Sequence, residues 1–333
     1  MKKTLISVLI PAILIIFYIS GPRYHTPQLD RSLPVIKISG DSLKKYVTGE
    51  ESRVPDLKGD NEARIIWAHD SLKDKTPYSV VYLHGFSASQ GEGIPVHTDF
   101  ARRYGCNLYL SRLYGHGIHS SHALEDMTPD SLLNSAKKAI AIGKQLGEKV
   151  ILMSTSTGGT LSLYLAGGDP DIAGMILYSP NIKINNPFVF LVTGPWGLQI
   201  GRMVAGSDNL VYPAKSREDS LYWDKSYRVE AVVYLQSLLE QTMQKKVFSS
   251  VTQPVFLGYY YKDKDHKDRT CRVDAMLDMF GRLGTPENEK VALAFPEAGD
   301  HVIACQYKSG DWKGVEKATF DFAENVLKLK VVE

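Results

Sequence analysis

Cysteine is scarce in this chain of 333 residues: Cys106, Cys271 and Cys305 allow one bridge and leave one thiol over. No strongly basic block is present. The net charge is +2, and the lysine pairs Lys44-Lys45, Lys137-Lys138 and Lys245-Lys246 sit in mixed sequence, which argues against nucleic acid as a partner. There is no internal repeat of fixed period and no low-complexity tract. No glycine-rich loop opens a helix to cradle a phosphate, since Gly158-Gly159 lacks the following Lys-Ser/Thr and no G-x-G-x-x-G follows a strand. His116, His119 and His122 fall close together but without the H-E-x-x-H spacing, and Gly115 and Gly117 argue for a loop there. Neither a metal nor a cofactor is expected.

What is present begins at the N-terminus. Met1-Lys2-Lys3 is followed by seventeen uncharged, mostly apolar residues, Thr4 to Ser20, then Gly21-Pro22-Arg23. The run lies between a signal-peptide core and a spanning helix in length, and its exits lack small residues at both cleavage positions. Residues 1–22 therefore read as an uncleaved membrane anchor, with an exported signal as the alternative. No cysteine follows to accept a lipid. With Lys2 and Lys3 on the cytoplasmic side, the rest of the chain is expected across the membrane, in a bacterial periplasm. Residues 23–60, with three prolines, read as a linker plus a short peripheral helix near Ser42 to Val47.

From residue 61 onward, apolar runs of strand length alternate with helix-length segments. Strands are expected at 63–68, 78–83, 107–110, 149–153, 175–178, 254–261 and 291–295, with helices at 90–104 and 131–146. This is the pattern of an α/β protein with a mostly parallel sheet and right-handed crossovers. The organising stretch is Val150-Ile151-Leu152-Met153, then Ser154-Thr155-Ser156-Thr157-Gly158-Gly159, then a second apolar run from Leu161. It reads as strand, sharp turn and helix, with small residues where the turn brings segments together. That is the physical content of the G-x-S-x-G nucleophile elbow, with Ser156 central and Ser154 in place of the first glycine. A register with Ser154 as nucleophile would put large residues before it and Ser156 where a glycine belongs.

A serine nucleophile needs a histidine base and a carboxylate that orients it, and in this topology they follow in the order Ser, acid, His. His301 follows the strand at 291–295. Asp263 follows the strand at 254–261 and is taken as the acid because it lies nearer the strand end than Asp265, which stays open; Glu297 and Asp300 are weaker candidates. The oxyanion donors are expected to be the Thr157 amide and the Phe86 amide, with Gly85 allowing close approach and His84 pinning the loop.

Together, Leu83-His84-Gly85-Phe86, Arg112-Leu113-Tyr114-Gly115-His116-Gly117, the Ser156 elbow, Asp263 and His301 resemble the monoacylglycerol lipase and carboxylesterase branch of the α/β-hydrolases, which also holds serine aminopeptidase-like members. The resemblance implies an α/β-hydrolase core at 61–180 and 253–333. The roughly 75 residues between the strands at 175 and 254 exceed a crossover helix and read as an inserted cap, 181–252, some of whose large apolar residues would line a pocket. The expected activity is cleavage of carboxylic esters, lipid-like or small, through a Ser-His-Asp triad; the rivals are a non-catalytic binding or scaffold protein and a peptidase of the same fold. Because the acid and base loops must converge, a Cys271 to Cys305 disulfide is expected between them, with Cys106 buried and free.

Overall fold

The computed structural model describes residues 12–25 and 27–332. The first eleven residues, which include Lys2, Lys3 and the start of the apolar run, lie outside the described residues. Residues 12–19 are helical, with Ile13 through Ile19 largely exposed. The Phe17 ring stacks on Trp196 at 5.1 Å. Among the described residues, no helix is long and apolar enough to cross a membrane.

The core is a seven-stranded sheet built from β1 (Arg64–Ile66), β2 (Thr76–Leu83), β3 (Asn107–Leu110), β4 (Gly147–Thr155), β5 (Ile172–Tyr178), β8 (Val255–Tyr259) and β9 (Lys290–Ala294), in the order β1-β3-β2-β4-β5-β8-β9. Only β1 runs antiparallel; every other pairing is parallel. Strands covered on both faces need apolar residues at successive positions, and their side chains divide with period two. Val81, Leu83, Val150, Leu152, Met175, Leu177, Val255 and Leu257 enter one core cluster, while Val80, Tyr82, Ile151, Met153, Ile176, Tyr178 and Phe256 enter the other. Helix Pro129–Leu146 covers the first face with Leu132, Leu133, Ala136 and Ile140. Its start is fixed by the Thr128 side chain, which accepts from the Ser131 amide, and by Pro129 in the first turn, where the missing N–H costs nothing.

Two segments differ from the sequence reading. The helix expected at 90–104 divides into a 3-10 turn, Gln90–Gly93, and a helix, Val96–Arg103. Pro95 has no N–H to give the Gly91 carbonyl, which accepts instead from the Ile94 amide and the Cys305 thiol. The helix expected near Ser42 to Val47 runs Gly40–Glu51 and buries Leu43 and Val47 in the main core.

Between β5 and β8 the chain leaves the sheet for an insertion. It holds helices Gly197–Ala205, Arg217–Tyr222, Glu230–Thr242 and Lys245–Ser250 and the antiparallel pair β6 (Asn209–Val211) and β7 (Ser226–Arg228). It packs onto the core through apolar side chains, with Tyr227, Ala231, Leu238, Val247 and Phe248 in the main cluster, and through partly buried polar contacts. Lys58 Nζ meets Asp224 Oδ1 at 2.7 Å with both side chains nearly sealed from solvent, the Asp224 amide donates to the Ser87 carbonyl, and the Tyr222 hydroxyl donates to Asp60.

Candidate active site

β4 ends at Thr155 and a helix begins at Thr157, leaving one residue for the turn. That residue is Ser156, with φ 53° and ψ −116°, a strained conformation held from both sides. Its amide donates to the Tyr178 carbonyl, and its carbonyl accepts from the Asn181 amide. The turn closes only because Gly158 is bare: a Cβ there would lie 1.9 Å from the Leu83 carbonyl oxygen at the end of β2. Ser154 fits in place of a glycine because its hydroxyl points into the protein, where it accepts from Ser162 Oγ at 3.1 Å.

His301 lies beyond β9, and its Nδ1 meets Asp268 Oδ2 at 2.5 Å. The other Asp268 oxygen accepts from the Thr270 and Cys271 amides. An acceptor at Nδ1 fixes the tautomer, so Nε2 faces the cavity as the acceptor, and it has no partner among the described residues. Burial works against the imidazolium, but the charge and hydrogen bond of Asp268, with Glu92 and Asp300 behind them, outweigh it and hold the His301 pKa above its usual 6.5.

The carboxylate that meets His301 is thus a different one from that of the sequence reading. Asp263 is exposed and accepts from the amides of Asp265 and His266 and from the His266 ring; Asp265 is exposed beside it. The cause is a small hairpin. Tyr261 bridges Lys267, and the Lys262 amide donates to the His266 carbonyl, so 262–266 project outward. The Asp268 amide then donates to the Tyr260 carbonyl, which returns Asp268 to the strand end. Distance along the chain misleads here; distance across the hairpin decides.

The two expected oxyanion amides, Phe86 and Thr157, have no acceptor among the described residues. The Phe86 peptide is oriented from its far side, because the Gly85 carbonyl accepts from the Ala88 amide and from His84 Nδ1 at 2.9 Å. His84 Nε2 accepts in turn from the Leu113 amide, and burial keeps this ring's pKa well below the ordinary range. Of the neighbouring histidines, His116 is buried and bonded to the Tyr114 carbonyl, whereas His122 is exposed and faces Glu125. No group of three metal-ligating side chains occurs among the described residues.

The expected Cys271 to Cys305 disulfide is corrected. All three thiols are free and buried. Cys305 pairs by a backbone bridge with Pro95 and its thiol donates to the Gly91 carbonyl, while Cys271, on the loop after β8, pairs by a backbone bridge with Ile184 of the insertion. The two loops do converge, through the Asp268 and His301 side chains rather than through sulfur.

Ser156, His301, Phe86 and Glu92 share a cavity of about 700 Å³. Leu191, Val192, Ile200, Leu210, Val232 and Leu235 of the insertion form much of its apolar wall.

A serine on a strained strand-to-helix turn at the carboxyl edge of a parallel sheet, with a paired histidine and aspartate beyond the last two strands, defines the α/β-hydrolase class. The core sequence narrows this: the family described as serine aminopeptidase, S33, matches residues 74–293, and the chain belongs to that family. A stretch of 108 residues is 33% identical to the thermostable monoacylglycerol lipase of Bacillus sp. (strain H-257), covering 32% of this chain and 42% of that protein. The chain therefore spans about two fifths of the length of this curated relative. Among solved structures, one from work on LipS and LipT, two metagenome-derived lipolytic enzymes, superposes with a TM-score of 0.63 at 16% identity, over 80% of this chain and 98% of that one. Est1E from Butyrivibrio proteoclasticus, determined with ferulic acid bound, gives 0.54 at 16% identity, over 80% and 95%. The monoacylglycerol lipase of Paleococcus ferrophilus gives 0.53 at 14%, over 80% and 98%. At such identities the likeness is one of fold.

Proposed function

We propose that the protein is a serine hydrolase that cleaves carboxylic esters of lipid-like or small acyl chains. The observation that carries the reading is the Asp268–His301 pair, with a free Nε2, opening into the apolar cavity that also holds Ser156. Ser156 Oγ attacks the acyl carbon as His301 Nε2 takes its proton, and Asp268 stabilises the imidazolium. The carbonyl oxygen, now negative, receives the Phe86 and Thr157 amides. Collapse of the adduct breaks the ester bond; His301 protonates the departing alcohol, and water then releases the acid by the same steps. The 181–252 insertion serves as the cap, and its apolar wall suits an acyl chain better than a peptide backbone, whose polar groups would lose water without replacement.

A fluorophosphonate probe should label the protein, and Ser156→Ala should abolish labelling. Absence of labelling in folded protein would favour the non-catalytic reading. A panel of esters graded by acyl length, set beside aminoacyl amides, separates esterase from peptidase.

We further place the protein at a membrane, anchored by residues 1–22 with its chemistry outside the cytoplasm. The uncharged run after Lys2 and Lys3 supports this, as does the exposure of Phe188, Met203, Val204 and Val211 on the insertion. The full chain should sediment with membranes and deletion of residues 1–22 should release it; a mature N-terminus near residue 21 would instead establish a cleaved signal.

A further inference from the structure

Glu92 is one of the carboxyls lining the cavity that the proposed chemistry does not use. Glu92, on the 3-10 turn Gln90–Gly93, is 2% exposed, and its Oε2 accepts from the Gly85 amide at 2.5 Å. It closes on the same point as the nucleophile. A Cβ on Gly85 would sit 2.9 Å from Ser156 Cβ and 3.0 Å from each Glu92 oxygen, so the carboxyl and Ser156 Cβ are no more than about 6 Å apart. No salt bridge joins Glu92 to a cation among the described residues.

Gly85 precedes the residue whose amide must meet the oxyanion. Its carbonyl is held by His84 Nδ1 and the Ala88 amide, and its own N–H is held by Glu92. With both ends of this residue fixed, the Phe86 N–H is left pointing away from the Gly85 carbonyl, as a trans peptide requires. Resting on the hydrolase reading above, we propose that Glu92 is a positioning residue for acyl transfer: its carboxyl holds the Gly85 amide so that the Phe86 amide meets the oxyanion, and its charge acts on His301 across the cavity.

The charge on Glu92 is itself conditional. Burial raises its pKa to about 7, against the Gly85 hydrogen bond and the pull of His301. The groups that face it are Tyr82 from β2, Cys271 from the acid loop, and Asp300, His301, Cys305 and Lys308 from the loop after β9. As a carboxylate it favours the His301 imidazolium, and so moves the acidic limb of the pH profile upward. The Gly85 amide keeps an acceptor in either protonation state, since a neutral carboxyl retains its carbonyl oxygen.

The two roles separate in two variants of the full chain, assayed with p-nitrophenyl butyrate. Glu92→Ala removes acceptor and charge; kcat should fall about tenfold to a hundredfold through loss of alignment, with KM within about threefold. Glu92→Gln keeps an acceptor without the charge. It should restore kcat to within about threefold of wild type and move the acidic limb of kcat/KM to lower pH. Wild-type kcat in Glu92→Ala, or an acidic limb unmoved in Glu92→Gln, overturns the proposal; should Glu92→Ala fail to fold, the limb in Glu92→Gln decides alone. A wild-type protein that no fluorophosphonate labels would instead remove the underlying hydrolase reading, whereas labelled Ser156 with unaltered Glu92 variants removes this inference only.

Discussion

One oxygen of Asp268 serves His301 and the other serves two backbone amides, so the carboxylate cannot turn away without leaving donors unmet. Asp268→Asn keeps the shape but offers the imidazole a wrong partner, and kcat should fall about 10⁴-fold; Asp263→Ala, on the exposed hairpin tip, should stay within about twofold of wild type. Steady-state kinetics on the two variants checks the assignment, and equal losses would refute it. A related outcome concerns pH. In the proposed mechanism His301 acts as neutral imidazole, and its pKa is held above the usual 6.5, so kcat/KM should decline as pH falls through a value higher than that of a free histidine. Ser156 and His301 were legible because each stands where the pattern of strand and small residues stops. Asp268 was not, because Lys262 to Lys267 crowd the strand end with charge, and only the Tyr261 to Lys267 pairing reveals that the chain comes back.

At the level of elements, the elbow depends on the helix Thr157–Ala166 lying against the end of β2. Gly158→Ala would drive a methyl into the Leu83 carbonyl at 1.9 Å; backbone cannot yield as a side chain does, and a loss of about 3 kcal/mol in urea unfolding is expected. Ser154→Gly, by contrast, should leave activity largely intact, as the hydroxyl it removes faces Ser162 and not the cavity. The strands were readable from their unbroken apolar runs, although those runs do not say which residue enters which layer; Val80 and Val81 look alike in sequence and part in the fold. The break at Pro95 was readable in principle, since a proline inside a helical pattern removes a donor.

Across the whole molecule, the insertion is held by partners that sequence places far away. Lys58 lies in a segment that reads as linker, yet its ammonium is sealed against Asp224. Burial raises the Asp224 pKa despite Lys58, and leaving that carboxyl buried without its cation should cost about 3 to 5 kcal/mol. Lys58→Met should therefore lower the midpoint of unfolding markedly, measured by circular dichroism in urea; an unchanged midpoint would mean that the pair does not hold the insertion. No local pattern signals such a pair, because it joins residues 166 positions apart. The separation also orders events during synthesis. At about 5 to 20 residues per second, Lys58 leaves the ribosome roughly ten to thirty seconds before its partner exists, and Asp268 and His301 emerge later still. On the proposed mechanism, the serine on its strained turn is thus made well ahead of the groups that would activate it, and a growing chain carries no working hydrolase until His301, beyond its final strand, has been made.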